Sequence, residues 1–147
     1  MFKVRGGTSL AKICVTAAIV AVASAAMPAA QAASAPARST GAPTKATGVS
    51  SYKQYSGSLG TLQLRTGTYA GHKYYWARVT SPSSTMNSKY NINLIVRGPN
   101  GYKKVETKDI SGTSYTAAYS IKRGYTYYAC YTKKTNAVAE KCLSTTA

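Results

Sequence analysis

Gly124–Cys142, GYTYYACYTKKTNAVAEKC, decides how the chain folds. Tyr125, Tyr127, Tyr128, Cys130, Tyr131 and Thr132 are aromatic, small or β-branched, a composition that suits a pleated strand and not a helix. Lys133-Lys134-Thr135-Asn136 interrupts it with polar residues. Beyond the break Val138 and Cys142 share one parity and Lys141 takes the other. A hairpin folded about Asn136 sets Cys130 opposite Cys142, since each lies six residues from it. The same register sets Glu140 opposite Thr132 and Lys141 opposite Tyr131. Directly opposed strand residues bring their Cβ atoms within the roughly 3.5–4.5 Å that a disulfide requires. Closing so short a loop stabilises by about 3 kcal/mol in the chain-entropy account. A metal site is not expected, because two cysteines without a partner histidine do not supply four ligands.

The compartment follows from the start of the chain. Met1–Lys12 carries Lys3, Arg5 and Lys12 and no acid. Ile13–Ala26 is a largely apolar run without a charge, and Ala30-Gln31-Ala32 gives a small-x-small pattern. That order predicts a secretory signal peptide over 1–32, cleaved near Ala32/Ala33. The apolar run is shorter than the roughly 20 residues that span a bilayer, so no stable transmembrane insertion is expected. Cys14 leaves with the leader, and Cys130 and Cys142 remain as an even pair suited to an oxidising exterior. Of 19 basic residues three fall in the leader, which leaves 16 against three acids, a net charge of +13. Residues 33–50, ASAPARSTGAPTKATGVS, are rich in Pro, Ala, Ser, Thr and Gly without periodicity and read as a flexible linker.

The rest, 51–147, reads as one small domain of strands. Leu62 and Leu64 alternate with Gln63 and Arg65. In His72–Thr80, Tyr75, Ala77 and Val79 share one face and Tyr74, Trp76 and Arg78 the other. Ser81–Ser88 reads as a loop. In Lys89–Arg97, Tyr90, Ile92, Leu94 and Val96 point inward. Gly98-Pro99-Asn100-Gly101 has turn chemistry. Tyr102–Lys108 is a more polar strand, and Tyr115, Ala117, Tyr119 and Ile121 form another alternating face. About seven short strands, turns at regular intervals and no helix after the leader predict an all-β fold, a small antiparallel β-sandwich with one disulfide hairpin. The expected core is Leu62, Leu64, Tyr75, Val79, Tyr90, Ile92, Leu94, Val96, Tyr119, Ile121 and one face of the last hairpin.

Two stretches carry resemblances. Leu62–Val79, LQLRTGTYAGHKYYWARV, resembles an L-x-L-R…W-A-R-[IV] pattern in small secreted actinobacterial proteins of unknown function. Leu94–Tyr128, with LIVRGPNGYKK and YSIKRGYTYY, is similar to the closing strands of bacterial pre-peptidase C-terminal β-sandwiches. The resemblances imply a secreted accessory or binding module and imply no catalytic residue.

Catalytic chemistry is hard to assemble from these residues. His72 is the only histidine, and Glu106, Asp109 and Glu140 are the only acids. No nucleophile elbow, phosphate loop or metal-ligand spacing is present, so no enzyme activity and no cofactor are expected. Charge is the informative feature. Successive turns of an antiparallel sandwich alternate between its ends, so the 98–101 and 122–124 turns share one. Lys103, Lys104, Lys122 and Arg123 should gather there with His72 and Lys73, and Lys133 and Lys134 should lie at the other end. Tyr74, Trp76, Tyr102 and Tyr125 are expected as exposed aromatic contacts among them. Such a surface suits a polyanion: counterion release gives affinity and rings add stacking. The leading expectation is a secreted, cell-wall-associated or free module binding anionic polymers: cell-wall polymer, acidic polysaccharide or extracellular nucleic acid. The alternatives are a protein-protein or inhibitor module and a basic antimicrobial or toxin, the last disfavoured by the lack of a basic amphipathic helix.

Overall fold

The computed structural model describes residues 34–147, and the expected leader lies outside them. Ten strands form two antiparallel sheets. The first sheet contains β1 (Arg38–Ser39), β2 (Thr47–Gly57), β3 (Gly60–Tyr69), β4 (His72–Thr80), β7 (Ser114–Tyr115) and β8 (Ala118–Ser120). Its order is β1-β8-β4-β3-β2, with β7 also on β4. The second contains β5 (Tyr90–Arg97), β6 (Lys103–Asp109), β9 (Thr126–Lys133) and β10 (Ala139–Thr146), ordered β10-β9-β5-β6. This is the expected all-β sandwich.

The alternation read from the sequence sets the inner faces. Leu62, Leu64, Tyr75, Val79, Tyr90, Ile92, Leu94, Val96 and Tyr119 are buried in one cluster with Tyr127 and Ala129, while Ile121 packs on it half-buried. Tyrosine fills much of the space between the sheets: the Tyr75 and Tyr127 ring centroids are 5.0 Å apart, and Tyr90 meets Tyr131 edge-on at 5.6 Å. Burial pushes the Tyr127 phenol up to about 12. Its hydroxyl donates to Ser120 O at 2.7 Å and accepts from Lys122 N at 2.9 Å, so the one buried polar group of that ring is satisfied.

The closing hairpin has the expected cysteine register: Cys142 pairs with Cys130, Lys141 with Tyr131, and the disulfide is formed, with the Cα atoms 4.2 Å apart. One pairing differs. Ala139, not Glu140, stands opposite Thr132, because the register shifts between Ala139 and Lys141. The extra residue of this bulge is Glu140. It accepts from Tyr90 Oη at 2.7 Å and pairs with Lys133 Nζ at 2.7 Å.

Four other expectations need correction. First, 33–50 is not a free linker from residue 34 onward. β1 pairs with β8, the short helix α1 (Ala42–Lys45) follows, and Pro36 and Ala42 are buried. This segment is a strap across the outer face of the first sheet, where Ala42 packs with Tyr74, Trp76 and Ala118. Alanine and proline serve there because the aromatic rings beneath supply the bulk. Gly67 permits the approach: a Cβ on it would lie 3.0 Å from Ala46 Cβ and 3.1 Å from Trp76 Cη2.

Second, 47–50, expected as the end of the linker, opens a full strand over 47–57 despite its polarity. β2 is the sheet's outer edge, bulged twice against β3, and needs no apolar alternation. Lys53 Nζ donates to Ser144 O at 2.6 Å and Lys141 Nζ sits 4.1 Å from the Tyr55 ring centre, joining β2 to β10 across the open side of the sandwich. Third, the loop 81–88 contains a six-residue helix, α2 (Ser84–Lys89), whose N-cap Ser83 accepts from Met86 N at 3.1 Å. It drives Met86 into the core. Fourth, 115–121 is not one continuous face. It breaks between β7 and β8, where Thr116 exchanges hydrogen bonds with Ala77 and is itself buried. Tyr115 consequently packs on the outer cluster and Tyr119 in the core.

Candidate functional site

Three pairings decide where the basic residues gather. Arg97 stands opposite Lys103 on β6 and opposite Thr126 on β9. The 98–101 and 122–124 turns therefore meet at one end of the sandwich. They touch directly: a Cβ on Gly98 would fall 2.2 Å from the Tyr125 ring, and Tyr102 meets Tyr125 edge-on at 5.2 Å. The third link is to the other sheet, where Ile121 N donates to Lys73 O at 2.8 Å. His72, Lys73 and Lys122 then line one cavity of about 270 Å³, walled by Ser34 and Ser120. The connectivity sets Arg123 beside Lys122. Lys103 is exposed across the Gly98 turn. Lys104, opposite Val96, is one step further along β6 on its other face.

The acids lie elsewhere. Asp109, opposite Asn91, and Glu140 occupy the far end, where Lys134 and Lys133 pair with them at 3.7 and 2.7 Å. Glu106 sits mid-strand opposite Leu94 and holds Arg38 of the strap, Nη2 to Oε2 at 3.0 Å, while accepting from Tyr119 Oη at 3.1 Å. The hydrogen bond from Arg38 keeps the Glu106 carboxyl below its ordinary range, and those from Lys133 and Tyr90 do the same for Glu140. All three acids are thus neutralised locally. Of the 16 basic residues beyond the leader, the 13 others make no ion pair among the described residues. The end that carries Lys73, Lys103, Lys122 and Arg123 has no Asp or Glu.

The expected aromatic contacts are corrected by burial. Tyr74 and Trp76 lie under the strap, Trp76 only 1% exposed, and Tyr125 is in the core. Tyr102 is half-buried against Tyr125, and burial, then the neighbouring Tyr125, raises its phenol. Tyr74, Trp76 and Tyr125 therefore offer no free ring face for stacking. Arg97, not among the expected contacts, belongs to the cationic end, its guanidinium 5.7 Å from the Tyr128 ring centre. Its position directly before the Gly-Pro-Asn-Gly turn, as Lys103 follows it, was the available signal.

The described residues contain no group of three or more metal-ligating side chains, and no helix among them is long and apolar enough to cross a membrane. No family model, curated protein or solved structure matches the chain.

Proposed function

We propose that the protein is a secreted, non-enzymatic module that binds anionic polymers through one end of its sandwich, by charge rather than by stacking. The observation that carries this reading is the segregation of charge: Lys73, Arg97, Lys103, Lys122 and Arg123 at an end without Asp or Glu, and the three acids paired elsewhere. Like charges held together repel and cost stability, and a polymer of opposite sign removes that cost while releasing its own counterions. Cell-wall polymer, acidic polysaccharide and extracellular nucleic acid share the required chemistry. The disulfide and the leader-like start suit an exported protein, and an envelope surface is the natural site of action.

The test is a pair of double variants against a polyphosphate and a DNA duplex. Lys122→Gln/Arg123→Gln should weaken binding and reduce the log–log salt slope by about 2 on duplex. Lys133→Gln/Lys134→Gln, at the end already neutralised, should change both much less. Equal effects of the two pairs would reject a located site.

A second reading has its own observation. The outer face of the second sheet exposes Val105, and Ile95, Tyr128 and Cys142 line an apolar cavity of about 270 Å³ there. A protein partner seated on that face would bind with little dependence on salt. Leakage of anionic vesicles would instead indicate a membrane-active protein.

A further inference from the structure

The outer face of the first sheet carries a second cationic feature, separate from the end of the sandwich. Arg65 on β3 pairs with Trp76 on β4, and Gln63 pairs with Arg78. Arg65 and Arg78 are therefore diagonal neighbours on one face, close enough for long side chains to share a ligand. No acid reaches either of them among the described residues. Arg65 Nη1 donates to Ser51 Oγ at 2.9 Å and to Gln63 Oε1 at 3.5 Å. Gln63 is itself oriented by Nε2 donating to Gln54 Oε1 at 2.7 Å. Arg65 Nε is buried without any hydrogen-bond partner. A buried charged donor left unpaired is costly, and here a second guanidinium stands beside it. Desolvation and then the charge of Arg78 lower the Arg65 pKa.

These two arginines open onto a groove of about 250 Å³. Trp76 and Tyr115 line it, Thr113 adds a hydroxyl, and Pro43 of the strap and Val49 of β2 close its sides. Lys108 Nζ lies 5.8 Å from the Tyr115 ring centre.

We propose that Arg65 and Arg78 hold a single tetrahedral oxyanion group, a phosphate monoester or a sulfate, in this groove. A guanidinium presents a rigid fork of donors that matches such a group in two parallel bonds. One bound oxyanion would neutralise the repulsion between the two arginines and leave the rest of its carrier molecule over Val49 and Pro43. The site stands apart from the cationic end and needs no polymer, so it holds or fails independently of the function proposed above.

Trp76 is the chain's only tryptophan and forms part of the groove, so its fluorescence reads the site directly. The protein is titrated with inorganic phosphate, with sulfate, and with chloride at matched ionic strength. Calorimetry alongside detects a bound anion that leaves the indole unperturbed. Phosphate or sulfate should give a saturable response that chloride does not. Arg78→Gln, whose melting curve is recorded in parallel, should weaken it at least tenfold. Lys122→Gln/Arg123→Gln should leave it unchanged. Competition by a sugar phosphate would identify a small phosphorylated carrier, and competition by a sulfated polysaccharide a polymer-borne sulfate; either supports the site. A response no greater than that of chloride in both measurements overturns the proposal. So does one that survives Arg78→Gln, or one abolished by Lys122→Gln/Arg123→Gln instead.

Discussion

Ala42→Phe tests whether the strap is a working part of the fold. Ala42 is fully buried at the start of α1, between Tyr74, Trp76 and Ala118. A ring placed there adds six carbons to a site with no room, and overpacking of this kind typically costs about 1–3 kcal/mol. The strap can also lift away, which limits the cost to what the strap contributes. Its links to β8 are the pairs Arg38↔Tyr119 and Ser39↔Ala118, with Ser120 N donating to Ala37 O at 2.9 Å and Ala37 N to Ser120 Oγ at 2.8 Å. At about 1 kcal/mol net for each hydrogen bond, with about 0.8 kcal/mol for the buried methyl, detachment costs about 3–5 kcal/mol. Overpacking in place is the smaller cost and detachment the ceiling, so the expected loss is about 1–3 kcal/mol, which lowers the urea midpoint by about 1 M for a domain of this size. Detachment adds a signature: the Trp76 emission shifts to the red at urea concentrations below the main transition, because the strap is what shields it. Wild-type stability together with unshifted emission would refute the packing of 34–46 described above.

Replacing both cysteines, Cys130→Ala/Cys142→Ala, opens a link between residues 12 apart in sequence. The loop-entropy account gives a loss of about 3 kcal/mol, read as a lower urea midpoint; an unchanged midpoint would contradict it. Gly98→Ala places a methyl 2.2 Å from the nearest ring atom of Tyr125, which is already held edge-on by Tyr102. A loss of about 1–3 kcal/mol and an altered near-ultraviolet dichroism of the tyrosines are expected, whereas a neutral substitution would show that the two turns do not meet. Acid should destabilise the protein through Glu106 and Glu140, whose folded pKa values are depressed by hydrogen bonds from Arg38 and Lys133. Their stabilising contribution is complete above the ordinary carboxylate range and is lost as pH falls through their folded values. Midpoints measured from pH 6 downward should fall, and Glu106→Gln should flatten the profile.

Much of the architecture is legible in the residues because the apolar alternation is strict. Tyr90, Ile92, Leu94 and Val96 admit one inward face, and two cysteines equidistant from Asn136 admit one register. What could not be read is what lacks a periodic signal. β2 is polar because an edge strand stitched by Lys53 and Tyr55 needs no buried stripe. α2 is shorter than two helical turns and is announced only by Ser83. The strap was hidden by its low-complexity composition, yet its target was visible. Tyr74-Tyr75-Trp76-Ala77 is apolar on both parities, which marks a strand covered on both faces. An alternating reading assigned Tyr74 and Trp76 to solvent and so made ligand contacts of rings that are packing. That the 98–101 and 122–124 turns meet was legible because it depends only on which turns share an end, a property of topology. The groove at Arg65 and Arg78 depended on the strap and on β2, and was invisible without them.

The salt dependence of binding to a DNA duplex tests the central claim most directly. With Lys73, Arg97, Lys103, Lys122 and Arg123 engaged, the logarithm of the binding constant should fall against the logarithm of salt concentration with a slope of about −4.5. A slope near zero, or no binding at low salt, would contradict the assignment of this end as a polyanion-binding surface.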